Sequence, residues 1–298
     1  MKLFSGSSNK ALAEKVVQEL GTTLSPVEIF IFPDGERRIQ VQERVVDEDV
    51  VIIQPTSTPV DTSYFELFLL SDAAKRSGAR SVTAVVPYLG YQRQDHVFRD
   101  GEAVSLEVIV NTMQSVHINK VISFDLHTVK IPEVFSIPMV HLSALPIFAE
   151  EIKKQNWAGL DTVLVSPDMG GIRRIKMLSE LLSDMPYVTI EKNRDLATGS
   201  IEMSGMKGEV THRVVIVDDM ISSGGTIVKA AQALKDKGAK EVYVFVTHPV
   251  FSADAPKILQ NSCVDKVYVT DSVFIPEEKR FPKLQILSLS KAIAEALG

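Results

Sequence analysis

The sequence predicts an α/β protein of two similar halves, each built on a mainly parallel sheet. Two observations carry this expectation. Short apolar runs alternate with helical periodicity from end to end, the pattern of successive βαβ units. The chain also repeats itself: Lys75 to Pro87 aligns with Lys235 to Val246, with Gly78 over Gly238, Ala79 over Ala239 and Val82 over Val242. Upstream, VVII at Val50 to Ile53 matches VVIV at Val214 to Val217, and downstream KVISFD at Lys120 to Asp125 matches KVYVTD at Lys266 to Asp271. Matched strands in the same order indicate an internal duplication with a core in each half. The boundary falls near His141 to Pro146, giving domains of residues 1–143 and 144–298. The final segment, Leu287 to Leu297, is a candidate to pack back on the first half.

A chain of 298 residues with 45% hydrophobic and 7% aromatic residues has ordinary globular composition and room for two such cores. Lys plus Arg number 32 against 38 for Asp plus Glu, a net charge of -6, so no basic footprint for nucleic acid is present. The single cysteine, Cys263, excludes an internal disulfide and a cysteine-rich zinc site and fits a reducing compartment. Met1 to Ser8 has no apolar signal region, and no run approaches the ~18 apolar residues of a membrane span. The expectation is a cytoplasmic protein without a membrane partner.

In chain order, Ile29 to Glu36, IFIFPDGE, reads as a strand entering a Pro-Asp-Gly turn, with Arg38 to Val45 as the return strand. A plain hairpin accounts for it; an aromatic face and two acids on one loop would equally suit an adenine ring and its hydroxyls. After the strand Val82 to Pro87, the stretch YLGYQRQD at Tyr88 to Asp95 gathers Arg93, Gln94 and Asp95 at a strand's carboxyl end, where ligands of open α/β sheets sit. Strand Val121 to Asp125 runs into Leu126 and His127. Val163 to Val165 runs into SPDMGG, with Asp168 beside a glycine pair and with Arg173, Arg174 and Lys176 following. Tyr187 to Glu191 is a short strand leading into a loop with Lys192 and Arg194, either surface or a pair of cations able to close over a polyphosphate.

The most informative stretch is Arg213 to Thr226, RVVIVDDMISSGGT. A continuously apolar strand ends at Asp218, with Asp219 next to it, and Ser222, Ser223, Gly224, Gly225 and Thr226 then allow a tight turn whose N–H groups lie beside the positive end of a helix. That helix is supported by Ile227, Ala230, Ala231 and Leu234 at i, i+3, i+4 and i+7, with Gly238 as its stop. Two acids before a phosphate loop suit a sugar phosphate. After its own strand the first half has Gln54-Pro55-Thr56-Ser57-Thr58, with neither the acid pair nor the glycine pair, so its phosphate seat is expected to be degenerate.

The last stretch closely resembles the phosphoribosyl-pyrophosphate motif of type I phosphoribosyltransferases. The ordered set FPDGE, PYLGYQRQD, DLH, SPDMGG, EKNR and VDDMISSGGT resembles ribose-phosphate pyrophosphokinase along nearly the whole chain. The resemblance implies two tandem phosphoribosyltransferase-like (Rossmann-like) domains. It implies transfer of the β,γ-diphosphoryl group of ATP to the C1 hydroxyl of ribose 5-phosphate, with Mg²⁺ as cofactor. No G-x-x-x-x-G-K-[ST] loop is present, so ATP is held otherwise. Carried over by position, Lys192 and Arg194 are catalytic. Phe32, Asp34, Gly35, Glu36, Arg93, Gln94 and Asp95 bind ATP, and His127 and Asp168 serve the metal. Ribose 5-phosphate falls to Arg194, Asp218, Asp219, Ser222, Ser223, Gly224, Gly225 and Thr226. The resemblance also implies a homo-oligomer built from dimers, a hexamer among its forms, with the ATP site shared between subunits. Two other readings stay open: a non-catalytic regulatory homologue, and a type I phosphoribosyltransferase.

Overall fold

The computed structural model describes residues 1–159, 161–194 and 201–298, with the backbone alone of residues 191–194 and 201–204. The chain divides into two compact units, one of Met1–Leu142 with Ser272–Phe274 and Ser288–Gly298, the other of Ser143–Asp271 with Ile275–Leu287.

In the first unit the elements run β1 (Lys2–Ser5), α1 (Lys10–Glu19), β2 (Val27–Ile31), β3 (Arg37–Val41), β4 (Asp49–Ile53), α2 (Val60–Arg76), β5 (Ser81–Val85), α3 (Ser105–Ser115), β6 (Lys120–Phe124), α4 (Ile131–Val134) and β7 (Met139–Leu142). Five of these strands form one sheet in the order β1-β4-β5-β6-β7, every pair parallel. β2 and β3 form a separate antiparallel hairpin whose second strand lies on α2.

The second unit runs α5 (Leu145–Lys154), β8 (Thr162–Ser166), a 3₁₀ turn at Met169–Gly171, α6 (Ile172–Leu181), β9 (Tyr187–Arg194), β10 (Ile201–Lys207), β11 (Arg213–Ile221), α7 (Gly225–Asp236), β12 (Glu241–Pro249), α8 (Ala255–Gln260), β13 (Lys266–Thr270) and β14 (Leu284–Leu287). Its sheet has the order β10-β9-β8-β11-β12-β13-β14 and is parallel apart from the β9–β10 hairpin. The last helix, α9 (Ser290–Leu297), packs on α1 within the first unit. No helix of the described residues is long and apolar enough to cross a membrane.

The duplication extends to single hydrogen bonds. Leaving α2, Gly78 donates to the Lys75 carbonyl at 3.0 Å and Ala79 to Ala74 at 3.1 Å; leaving α7, Gly238 donates to Lys235 at 3.0 Å and Ala239 to Leu234 at 3.1 Å. Asn119 Oδ1 accepts from the Val82 N–H at 2.8 Å, and Asp265 Oδ2 accepts from the Val242 N–H at 2.7 Å. The backbone N–H of each latch residue returns a bond to the same valine's carbonyl, at 2.8 Å in both halves. Chain order also makes the β2–β3 and β9–β10 hairpins equivalent, each following the helix after its sheet's first parallel strand and preceding the strand that carries VVII or VVIV.

Two boundaries differ from the sequence reading. β11 continues beyond Asp218 to Ile221, because β12 stays alongside and pairs Met220 with His248 and Ile221 with Pro249. β9 continues through Lys192 to Arg194, where a loop was expected, because β10 supplies an antiparallel partner with Met203 opposite Lys192 and Ile201 opposite Arg194. A paired partner outweighs the weak strand preference of Glu, Lys and Asn.

The latches give the first testable outcome. Asn119→Ala and Asp265→Ala each leave a strand N–H without its acceptor, so each variant is expected to lose about 1–3 kcal/mol in denaturant unfolding.

Candidate functional site

In the second unit β8 lies between β9 and β11: the chain leaves β8 through α6 to β9 on one side and returns by way of β10 to β11 on the other. That makes the gap between the carboxyl ends of β8 and β11 the switch point of the sheet, where such folds open a crevice. β8 and β11 pair only as far as Val165 and Ile216, and the chain beyond each carries an acid, Asp168 and Asp218. The β8 end is shaped by close approach. A Cβ on Gly171 would meet Ser166 Oγ at 2.5 Å, and Ser166 Oγ donates to the Asp168 carbonyl at 2.7 Å. Asp168 Oδ1 accepts from the Gly171 N–H at 3.2 Å, which fixes its carboxylate at the head of the 3₁₀ turn.

Asp218 and Asp219 stand side by side with side chains 14% and 7% exposed. Arg174, on the first turns of α6, answers both: Nη1 lies 3.3 Å from Asp218 Oδ1 and Nη2 lies 3.7 Å from Asp219 Oδ1. Burial raises the Asp218 carboxyl well above the ordinary range, the neighbouring Asp219 charge pushes the same way, and Arg174 pulls against both. The sequence reading noted Arg174 only within a basic run; the signal for it was its place six residues after Asp168, and nothing in the spacing named Asp218 as its partner.

Beyond β11 the small-residue loop leads into α7. Gly224 has φ +80°, a left-handed conformation in which a side chain would be strained, and it stands as the N-cap without offering a side-chain bond. The opening N–H groups of α7 therefore have no side-chain cap, and Ser223 and Thr226 beside them are exposed. Ser222 is partly buried, its Oγ 2.9 Å from Ser252 Oγ. Gly225 has open space where a Cβ would stand, with only Ser223 Oγ, at 3.9 Å, near it. Uncapped N–H groups at a helix's positive end make an anion seat. Asp218, Asp219 and the loop Ser222 to Thr226 are thus brought to one strand-to-helix junction.

The first unit treats the equivalent junction differently. Gln54, aligned with Asp218, is fully buried; its Oε1 accepts from Ser8 Oγ at 2.7 Å, and its Nε2 donates to Glu66 Oε1 at 3.0 Å. Glu66, 1% exposed, also accepts from the Ser7 N–H and hydroxyl and lies 3.8 Å from Arg37 Nε. The junction is occupied by the unit's own side chains.

The other first-unit candidates fall at two places. Phe32, Asp34, Gly35 and Glu36 form the exposed tip of the β2–β3 hairpin. The tip is closed by a Phe32 N–H bond to the Glu36 carbonyl at 2.8 Å and braced by Asp34 Oδ1 on the Glu36 N–H at 3.1 Å. The Phe32 ring meets Phe30 edge-on at 5.0 Å. Arg93 is exposed and Gln94 half-buried on the loop after β5, while Asp95 bonds His96 Nδ1 at 2.7 Å and Thr128 Oγ1 at 3.0 Å. His127, exposed, follows β6 and neighbours that loop: its N–H donates to Gln92 Oε1 at 2.9 Å. The side chains of Lys192 and Arg194 lie outside the described residues. Among the described residues no three His, Cys, Asp or Glu side chains converge on one metal position.

Because Asp218 holds its proton to higher pH when folded than when unfolded, its ionisation opposes folding increasingly as pH rises from the ordinary carboxylate range. Asp218→Asn is therefore expected to raise the melting temperature near pH 7 by about 2–4 °C, roughly 1 kcal/mol. The gain should shrink as pH falls towards 4 in calorimetric scans.

Comparison with known proteins accounts for both units together. A family model described as the N-terminal domain of ribose phosphate pyrophosphokinase matches residues 1–116, and one described as the phosphoribosyl synthetase-associated domain matches residues 195–298. The ribose-phosphate pyrophosphokinase of Fusobacterium nucleatum is 39% identical over 298 residues, covering 100% of this chain and 94% of that protein. That of Gloeobacter violaceus is 38% identical over 298 residues, covering 100% and 89%. The crystal structure of phosphoribosylpyrophosphate synthetase from Mycobacterium smegmatis matches with a TM-score of 0.92 at 32% identity over 99% of this chain and 97% of that one. With relatives matched along its whole length and the two phosphoribosyltransferase-like sheets in place, the chain belongs to the ribose-phosphate pyrophosphokinase family.

Proposed function

We propose that the chain transfers the β,γ-diphosphoryl group of ATP to the C1 hydroxyl of ribose 5-phosphate, giving phosphoribosyl pyrophosphate and AMP in the cytoplasm. The observation that carries this reading is the junction of β11 and α7, an anion seat with two carboxylates at its mouth. The N–H groups at the start of α7, with Ser222, Ser223 and Thr226, hold the 5-phosphate, and Asp218 and Asp219 accept the ring hydroxyls. Neither carboxylate could grip a free phosphate, so the pair selects for a sugar carrying one.

ATP is assigned to Phe32, Asp34, Gly35 and Glu36, with Arg93, Gln94 and Asp95. The exposed hairpin tip, with Phe32 38% and Ile31 54% exposed, offers an apolar face to an adenine ring. Reaching into a neighbouring copy's site is the role proposed for it, so the active form is a homo-oligomer built from dimers. The transferring group disperses charge over its oxygens in a loose transition state, which cations stabilise by position alone. Lys192 and Arg194 are assigned that work.

His127 and Asp168 are the residues assigned to a divalent cation, Mg²⁺. Each offers a single donor, which fits an ion that keeps most of its shell as water and substrate phosphate. When bound, the ion neutralises charge on the phosphate oxygens.

Purified chain incubated with ATP, ribose 5-phosphate and Mg²⁺ is expected to form AMP and phosphoribosyl pyrophosphate in equal amounts by chromatography, and nothing without sugar. Lys192→Ala should slow turnover by about 10³ to 10⁵. Formation of ADP in place of AMP, or a Lys192→Ala rate close to that of the unaltered chain, would overturn the assignment.

A further inference from the structure

The turn that carries His127 is held at each successive residue. Beyond β6 the chain passes through Asp125 at φ +31°, a conformation that costs free energy in a residue other than glycine and persists only where its surroundings impose it. The Asp125 N–H donates to the Leu142 carbonyl at 3.0 Å, the Leu126 N–H to His141 Nε2 at 3.0 Å, and the His127 N–H to Gln92 Oε1 at 2.9 Å. Thr128 Oγ1 then donates to Asp95 Oδ2 at 3.0 Å.

His141 is the unusual member of this set. The β6–β7 ladder pairs Ser123 with His141 and Phe124 with Leu142 and stops there. Leu126, 5% exposed, lies past the last rung, and an imidazole nitrogen takes the place that a carbonyl would have held. To accept that bond Nε2 must carry no hydrogen, so the ring is the neutral tautomer protonated on Nδ1. His141 is exposed and the bond part-buried, so without its acceptor the Leu126 N–H would turn to water or a new partner, and the turn would relax with it.

We infer that His141 is a positioning residue for His127, acting through the Leu126 N–H to fix the turn on which the His127 ring is presented. The inference rests on the reading of His127 as a site residue. It concerns a side chain on β7 that reaches the reaction only through the backbone of the turn, and Gln92 completes the hold from the opposite side.

The test compares His141→Ala, His141→Gln, His127→Ala and the His127→Ala/His141→Ala double variant in the full chain. Amide hydrogen exchange and steady-state kinetics are read together. His141→Ala is expected to speed exchange at the Leu126 amide and to lower kcat by about 10- to 100-fold, with KM for ribose 5-phosphate unchanged. His141→Gln places an amide oxygen where Nε2 stood and is expected to restore both. On the His127→Ala background, His141→Ala should cost nothing further.

An equal loss on both backgrounds, glutamine no better than alanine, or unaltered Leu126 exchange would overturn the inference. Failure of the underlying reading has its own signature: His127→Ala would turn over like the unaltered chain, while Leu126 exchange would still report whether His141 holds the turn.

Discussion

Asp218 and Asp219 place two carboxylates on consecutive residues of a strand whose other buried members are apolar, and such a pair is tolerated only with a cation against it. Arg174 supplies that cation from α6, and much of the second unit follows from the need to bring it there. Its helix begins immediately after the 3₁₀ turn, the turn is capped by Asp168, and Gly171 lets the turn close onto Ser166. The same few residues therefore set the ion pair and aim Asp168 from the neighbouring strand end. Burial still leaves Asp218 reluctant to ionise, a stability cost located where a sugar's hydroxyls would be bound.

The two units show one architecture put to different uses. Their sheets share the order of five parallel strands, the helix ends and the Asn119 and Asp265 latches. They differ at the hairpin. In the second unit β9 joins the sheet beside β8, so the strand order reverses, the point where open α/β sheets place a ligand crevice. In the first unit β2 and β3 stay off the sheet, the order never reverses, and Gln54 and Glu66 fill the space. Both hairpins nonetheless carry residues assigned to the reaction, Phe32 to Glu36 on one and Lys192 with Arg194 on the other.

Much of this was legible in the residues. The helix after the phosphate loop was readable because its buried positions, Ile227, Ala230, Ala231 and Leu234, follow helical spacing. The duplication was readable because Gly78 and Gly238 occupy the same left-handed position after matched helices. What stayed hidden depends on partners distant in sequence. The reach of β11 to Ile221 follows from β12, and the strand character of Lys192 to Arg194 follows from β10. Arg174 against Asp218, Gln92 on the His127 N–H and His141 on the Leu126 N–H join residues separated by 44, 35 and 15 positions, which no local pattern announces.

The central claim is that the β11–α7 junction binds a sugar phosphate in two parts, the helix end taking the phosphate and the acid pair taking the hydroxyls. Amide resonances of Asp219 and of Ser223 to Ile227, followed while ribose 5-phosphate is added to the full chain and again to Asp218→Asn, test it most directly. The account predicts that ribose 5-phosphate shifts both sets in the unaltered chain. In the variant the loop amides should still respond, at higher ligand concentration, while Asp219 no longer follows. Binding of ribose 5-phosphate that leaves the Ser223 to Ile227 amides unmoved would contradict it.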